Sequence, residues 1–197
     1  SMGCLQSPPA SNYAAPPQAN GAAASIGHVD VIFFPEPSGK MPCRNANTPR
    51  GCHRHNCNYE HGPTLIGRFL QYLNSATRTL DICVFTITCD EISDAVMALH
   101  KRGVKVRVIT DDDQANSLGS DIDKFRQCGI PVKVDHSKTH MHHKFAVIDH
   151  RLLMNGSFNW TRQAVLGNQE NVVMIENPKL VHDFSQCFEK LWSQFRA

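Results

Sequence analysis

The stretch His142-His143-Lys144-Phe145-Ala146-Val147-Ile148-Asp149-His150-Arg151-Leu152-Leu153-Met154-Asn155-Gly156-Ser157-Phe158-Asn159 decides the fold. Residues 144–148 and 152–155 are apolar runs of strand length on either side of a polar break, Asp149-His150-Arg151, so they read as the arms of a hairpin. Side chains two apart on a strand share a face. That places the His142 imidazole and the Lys144 ammonium together and His143 on the opposite side, as packing or support. The second arm runs into Gly156-Ser157, where glycine permits close backbone approach and Ser157 and Asn159 bring hydrogen-bonding groups to the same end.

Outward from the hairpin, elements alternate. Upstream, residues 29–34 form a β-branched and aromatic run stopped by Pro35 and read as a strand. Leu65, Ile66, Phe69, Leu70 and Leu73 fall at helical spacing, and residues 80–85 read as a strand. Asp90 is a candidate cap for a helix carrying Ile92, Val96, Met97 and Leu99 and ending at Lys101-Arg102-Gly103. A strand over 104–109, a helix over 120–128 and a strand over 130–134 follow. Downstream, 161–166 is a brief helix, 171–175 a strand and 178–195 a closing helix with proline in its first turn. This order predicts an α/β fold: a mixed β-sheet flanked by helices, in one catalytic domain over residues 28–197. No internal repeat is visible.

Residues 1–27 are mostly Ala, Pro, Ser, Gln and Asn, a composition that cannot offset the entropy of ordering and reads as a tail or linker. The 197 residues, 41% hydrophobic, are enough for one core, and a formal charge of +2 excludes a protein whose affinity rests on a broadly basic surface. No stretch approaches the roughly 20 apolar residues of a membrane span and no secretory signal opens the chain, so the sequence as it stands is expected to be soluble. Ser1-Met2 reads as an expression scar, which leaves room for a natural membrane segment upstream.

The pocket implied by the hairpin suits a phosphate diester. Lys144 and Asn159 can hold non-bridging oxygens while a neutral imidazole attacks phosphorus, and Glu170 can hold the other ring nitrogen. His142-x-Lys144-x4-Asp149, x6, Gly156-Ser157-x-Asn159 and a downstream Glu170 resemble the HKD signature of the phospholipase D superfamily. Three fixed residue types plus the Gly-Ser-x-Asn continuation make the match specific. The likeness spans most of residues 29–195 and is to the single-motif branch, nearest the mitochondrial phospholipase D or Zucchini group. The resemblance implies a phospholipase D-like sandwich working as a homodimer, one histidine as nucleophile and the other as general acid through a phosphohistidine, with no catalytic metal. It also implies cleavage of single-stranded RNA in Piwi-interacting RNA production, with cardiolipin hydrolysis as the rival activity. The address it implies is the mitochondrial outer membrane, facing the cytosol, through an N-terminal helix that this sequence lacks. Carried over, His142 is nucleophile or acid, Lys144, Ser157 and Asn159 bind phosphate, Glu170 orients histidine, and Asp149 is structural rather than chemical.

Residues 40–63 form a Cys- and His-rich insertion, too polar for core and too long for a plain connection. Cys43-x8-Cys52-x4-Cys57-x3-His61 resembles a CCCH zinc finger and predicts a structural Zn2+, with His53 or His55 as replacement ligands and disulfides or free thiols as the alternative. The isolated Cys83, Cys89, Cys128 and Cys187 read as small buried hydrophobes. Arg44, Arg50 and Arg54 can reach nucleic-acid phosphate or form an ordinary solvated face. Trp160 and Phe158 can stack bases, although packing suits at least one of them better.

Two metal readings are weighed and set aside. A site of His136, His140, His142 and His143 would place a cation beside Lys144, which repels it. Asp111-Asp112-Asp113 invites magnesium, but only alternate carboxylates share a face, and a solvated, helix-capping turn is preferred. Outside enzymology, the rival is a nucleic-acid-binding module with a vestigial HKD site, against which the intact His, Lys, Asn and Glu argue.

Overall fold

A computed structural model describes residues 27–115 and 121–197. Strands β1 (Val29–Phe34), β2 (Thr79–Val84), β3 (Lys105–Thr110), β4 (Val132–Val134), β5 (Lys144–Ile148), β6 (Leu152–Gly156) and β7 (Glu170–Ile175) form one sheet in the order β1-β7-β6-β5-β2-β3-β4. The β2–β3 and β3–β4 pairs are parallel and the others antiparallel, so the sheet is mixed, as expected.

The helices are α1 (Leu65–Asn74), α2 (Asp90–Lys101), α3 (Asp112–Ala115), α4 (Ile122–Gln127), α5 (Arg162–Leu166) and α6 (Pro178–Gln194). One face of the sheet offers Ile32, Phe34, Leu80, Ile82, Ala146 and Met154 to a core closed by Ile66 and Phe69 of α1, Ile92 and Val96 of α2 and Phe125 of α4. The other face offers Cys83, Ile109, Phe145, Val147 and Leu153 to Val181 and Phe188 of α6. Arg107 of β3 fastens α6, donating to buried Asp81 at 2.8 Å and to Glu189 at 2.6 Å beneath the Phe188 ring. Buried on both faces, the central strands read as continuous apolar runs.

Several local expectations shift. Asp90 is the first residue of α2 and Cys89 is its cap, without a side-chain hydrogen bond. The helix read over 120–128 is α4, and the tail read over 1–27 lies outside the described residues up to residue 26. Asp111 is not in a solvated turn: it is 1% exposed, and α3 follows it. Thr161 and Asn177 cap α5 and α6 through their side chains. In the β5–β6 turn, Asp149 and His150 both take positive φ (53° and 50°), the mirror-image turn whose twist matches the strands it joins.

Candidate functional site

The site is built where β5 begins and β6 ends. His142 lies just before β5 and Lys144 is its first residue, on the same side as predicted: Lys144 Nζ lies 3.3 Å from His142 Nδ1 and donates to the His142 carbonyl at 2.9 Å. Burial pulls the Lys144 ammonium below its ordinary value, while the Glu170 carboxylate acts in the opposite sense. His143 turns the other way, onto Phe145 and within 3.9 Å of the Cys187 thiol, and partial burial lowers its basicity.

Gly156 is needed for the approach of β6 to β7, because a Cβ there would sit 1.9 Å from the Asn171 carbonyl oxygen. That crossing brings Ser157 to Glu170. The Ser157 hydroxyl donates to Glu170 Oε2 and accepts from Asn171 N–H at 3.1 Å, while Asn168 Nδ2 holds Glu170 Oε1 at 3.1 Å. Within one chain these contacts of the Glu170 carboxylate are to Ser157 and Asn168. Asn159 carries a buried Oδ1 with no hydrogen-bond partner. Such an atom at a site mouth points to a missing donor.

Asp149 stands at the opposite end of β5 from His142. Its carboxylate accepts from the main-chain N–H of Thr77, Arg78 and Thr79 at 2.9, 2.7 and 2.8 Å and from the Thr77 hydroxyl at 3.1 Å. It has no place among the reacting groups; it locks the start of β2 to the β5–β6 turn.

Two further residues shape the site, Phe85, which the sequence pattern did not single out, and Asp111, which it placed in a solvated turn. Phe85, just after β2, lays its ring 4.7 Å from that of His142 and 5.3 Å from that of His140, with Lys144 Nζ 5.3 Å from its centroid, so it floors the site. Asp111 accepts the Met141 N–H at 3.0 Å and faces His140 Nδ1 at 3.3 Å, anchoring the segment that leads into His142. Each depends on the β2–β5 and β2–β3 pairings, which no local pattern announces. Beside His142 an open cleft of about 500 Å³ has polar walls at Asp135 and Thr139 and apolar ones at Met141, Leu191 and Phe195.

In the insertion, Pro42 bridges Glu60, closing the loop at its base. One ligand atom each from Cys43, Cys52, Cys57 and His61 lie within 4.8 Å of one another, and none of the cysteines is in a disulfide. Burial works to raise the Cys43 thiol, but the Asn45 N–H and the side chains of Cys52, Cys57 and His61 outweigh it and bring it down to about 7. Cys52 moves up, burial and the two neighbouring thiols outweighing the Arg54 N–H. Three sulfurs and an imidazole converging in this way fit a tetrahedral Zn2+, and His53 and His55 lie outside the set.

A groove of about 330 Å³ lies against the insertion, lined by Arg44, Arg54, Tyr59, Glu91 and Arg162 among others. Arg162 opens α5, three residues beyond Asn159. Arg50 does not line it. Phe158 and Trp160 are buried, Phe158 stacked on Phe34 at 4.3 Å and Trp160 edge-on to Phe69 at 5.7 Å, which removes both as base-stacking platforms.

This fold with its HKD residues defines a class. Residues 69–192 match the family described as "Cardiolipin synthase, PLD-like domain", and the chain belongs to that family. It is a phospholipase D-superfamily hydrolase of the Zucchini-like group. It is 60% identical over 182 residues to the mitochondrial cardiolipin hydrolase of Chlamydomonas reinhardtii, covering 92% of this chain and 80% of that protein. The mitochondrial cardiolipin hydrolase of Homo sapiens is 43% identical over 176 residues, covering 84% of this chain and 68% of that one. Among solved structures, the phospholipase D family member Nuc from Salmonella typhimurium superposes with a TM-score of 0.66 at 25% identity, over 86% of this chain and 97% of its own.

Proposed function

We propose that the chain is a homodimeric phosphodiesterase that cleaves single-stranded RNA through a phosphohistidine intermediate. His142 of one chain attacks phosphorus, the P–N bond forms as the P–O bond to the leaving oxygen breaks, and the partner chain's copy of the same histidine protonates that oxygen. Water then attacks phosphorus, gives its proton to the second imidazole and releases the first. Lys144 and Asn159 hold the non-bridging oxygens, the Asn159 amide group by donating through its nitrogen, and Ser157 joins them by turning its hydroxyl from Glu170 to the phosphate. A partner is required because one motif supplies one imidazole, and a symmetric pairing brings two motifs to one axis.

The observation that favours RNA is the groove at the insertion. Arg44, Arg54 and Arg162 supply charge along a backbone and exposed Tyr59 supplies a stacking surface. Zn2+, held by Cys43, Cys52, Cys57 and His61, would set the shape of that wall and take no part in the reaction.

Cardiolipin hydrolysis is the second reading. It is favoured by the names of the relatives and by the apolar wall of Met141, Leu191 and Phe195 next to His142. Those names also favour a mitochondrial address, and we place the catalytic domain on the cytosolic side of the outer membrane. Among the described residues no helix is long and apolar enough to cross a membrane.

The test is incubation of purified protein with labelled single-stranded RNA, duplex RNA and cardiolipin vesicles side by side. Cleavage of single strands alone supports the first reading. Turnover of vesicles with RNA untouched replaces it with the second.

A further inference from the structure

We propose that Asp111, Asp113 and His140 form a second divalent-metal site, separate from the cysteine cluster, that takes a transition ion of the Mn2+ or Zn2+ kind and ties the segment carrying His142 to the end of β3. These residues come from three places: the first position after β3, helix α3, and the loop that leads into β5. The sheet order brings them together, and one ligand atom from each lies within 4.8 Å of the others.

Charge makes the cluster hard to understand without a cation. Asp111 is 1% exposed and Asp135 is 3% exposed, and Asp111, Asp112 and Asp135 form a second grouping of carboxylates within the same distance. Among the described residues no lysine or arginine forms an ion pair with Asp111, Asp113 or Asp135, and the basic side chain beside Asp111 is the His140 imidazole. A divalent cation would supply the positive charge that no neighbouring lysine or arginine brings to Asp111, Asp113 and Asp135.

The hydrogen bonding gives a second, independent pointer. One oxygen of Asp111, Oδ2, takes Met141 N–H and His140 Nδ1, whereas the other, Oδ1, is buried with no partner. A buried carboxylate oxygen left empty amid acidic neighbours is where a ligand atom is expected. An imidazole with two carboxylates leaves open positions and suits a borderline transition ion better than Mg2+ or Ca2+, which take oxygen sets. The ion has a way in, because Asp135 and His140 both line the open cleft beside His142.

Occupancy would act on the catalytic segment. His140 stands two residues before His142, and the Phe85 ring touches both imidazoles. An ion that fixes His140 therefore restricts where His142 can sit, as a positioning device that does not enter the reaction.

The test loads the full chain with one equivalent of Zn2+, which fills the thiolate cluster, and titrates it with Mn2+ while the free-ion electron paramagnetic resonance signal is followed. Mn2+ avoids thiolates, so the cysteine cluster does not compete. One Mn2+ bound per chain is expected, retained in Cys52→Ser and weakened roughly tenfold or more when exposed Asp113 and His140 become Asn and Gln. Unchanged melting of that double variant shows that the loss is of ligands and not of fold. Mn2+ remaining free at millimolar concentration with the wild-type chain, or equal binding by the double variant, overturns the proposal.

Discussion

The ammonium of Lys144 lies 3.3 Å from Nδ1 of His142 and donates to the carbonyl oxygen of the same residue at 2.9 Å. The contact follows from strand periodicity, which sets both side chains on one face, and from Phe85, which closes the floor beneath them. A lysine held there by its own chain has one further use, the charge of an incoming phosphate. Lys144→Ala is therefore expected to keep the fold and lower kcat by about a hundredfold to a thousandfold, the usual cost of losing one oxyanion donor. Kinetics with circular dichroism checks it; undiminished turnover would remove Lys144 from the site.

Acid should loosen the hairpin from the far end. Arg68, and then the Tyr72 hydroxyl, hold the Asp30 carboxyl at about 2. Burial raises the Asp149 carboxyl, but the N–H groups of Thr79, Thr77 and Arg78 outweigh it and leave it below the ordinary range. Both folded values are depressed, so their stabilisation is complete above the ordinary carboxylate pKa and disappears as pH falls through the folded ones. Melting temperature should drop between about pH 4 and pH 2. Asp149→Asn should cost about 1–3 kcal/mol at neutral pH and flatten that drop. A variant that melts like wild type at every pH contradicts the structural role.

The groove prediction separates three arginines from a fourth. If a single strand runs past Arg44, Arg54 and Arg162, replacing all three with alanine should reduce the slope of log affinity against log salt by about 2. Arg50→Ala, outside the groove, should leave the slope where it was. Equal effects from Arg50 and the groove arginines would mean that charge acts at a distance and that no track exists.

Much of this was legible in the sequence and some was not, for physical reasons. The hairpin, the His142–Lys144 pair and the role of Gly156 follow from periods of two and from the absence of a Cβ, which are properties of the local chain. Phe158 and Trp160 could not be assigned that way. Their burial depends on Phe34 of β1 and Phe69 of α1, more than eighty residues earlier in the chain. Asp111 resisted for the same reason: three consecutive aspartates look solvated until β3 and the loop before β5 are placed side by side. The contacts of Glu170 to Ser157 and Asn168 were not legible either, because they follow from the β6–β7 pairing.

The insertion should behave as a separate metal-dependent unit. Co2+ in place of Zn2+ is expected to give thiolate charge-transfer and tetrahedral bands that Cys52→Ser abolishes. Stripping the metal should expose residues 42–63 to protease while the sheet keeps its melting transition, because Met41 is the insertion's one residue in the buried core clusters and the others lie outside it. A Cys52→Ser protein with unchanged bands would move the ligand set to His53 or His55.

If one active site needs His142 from two chains, as proposed, subunit mixing reveals it. Wild-type and His142→Asn chains are co-refolded in varied proportions and turnover is measured on single-stranded RNA and on cardiolipin. A lone imidazole cannot both attack phosphorus and protonate the leaving oxygen, so a mixed dimer should be nearly inactive and activity should follow the square of the wild-type fraction. Activity falling in direct proportion to the wild-type fraction would show that each chain works alone and would contradict the shared site.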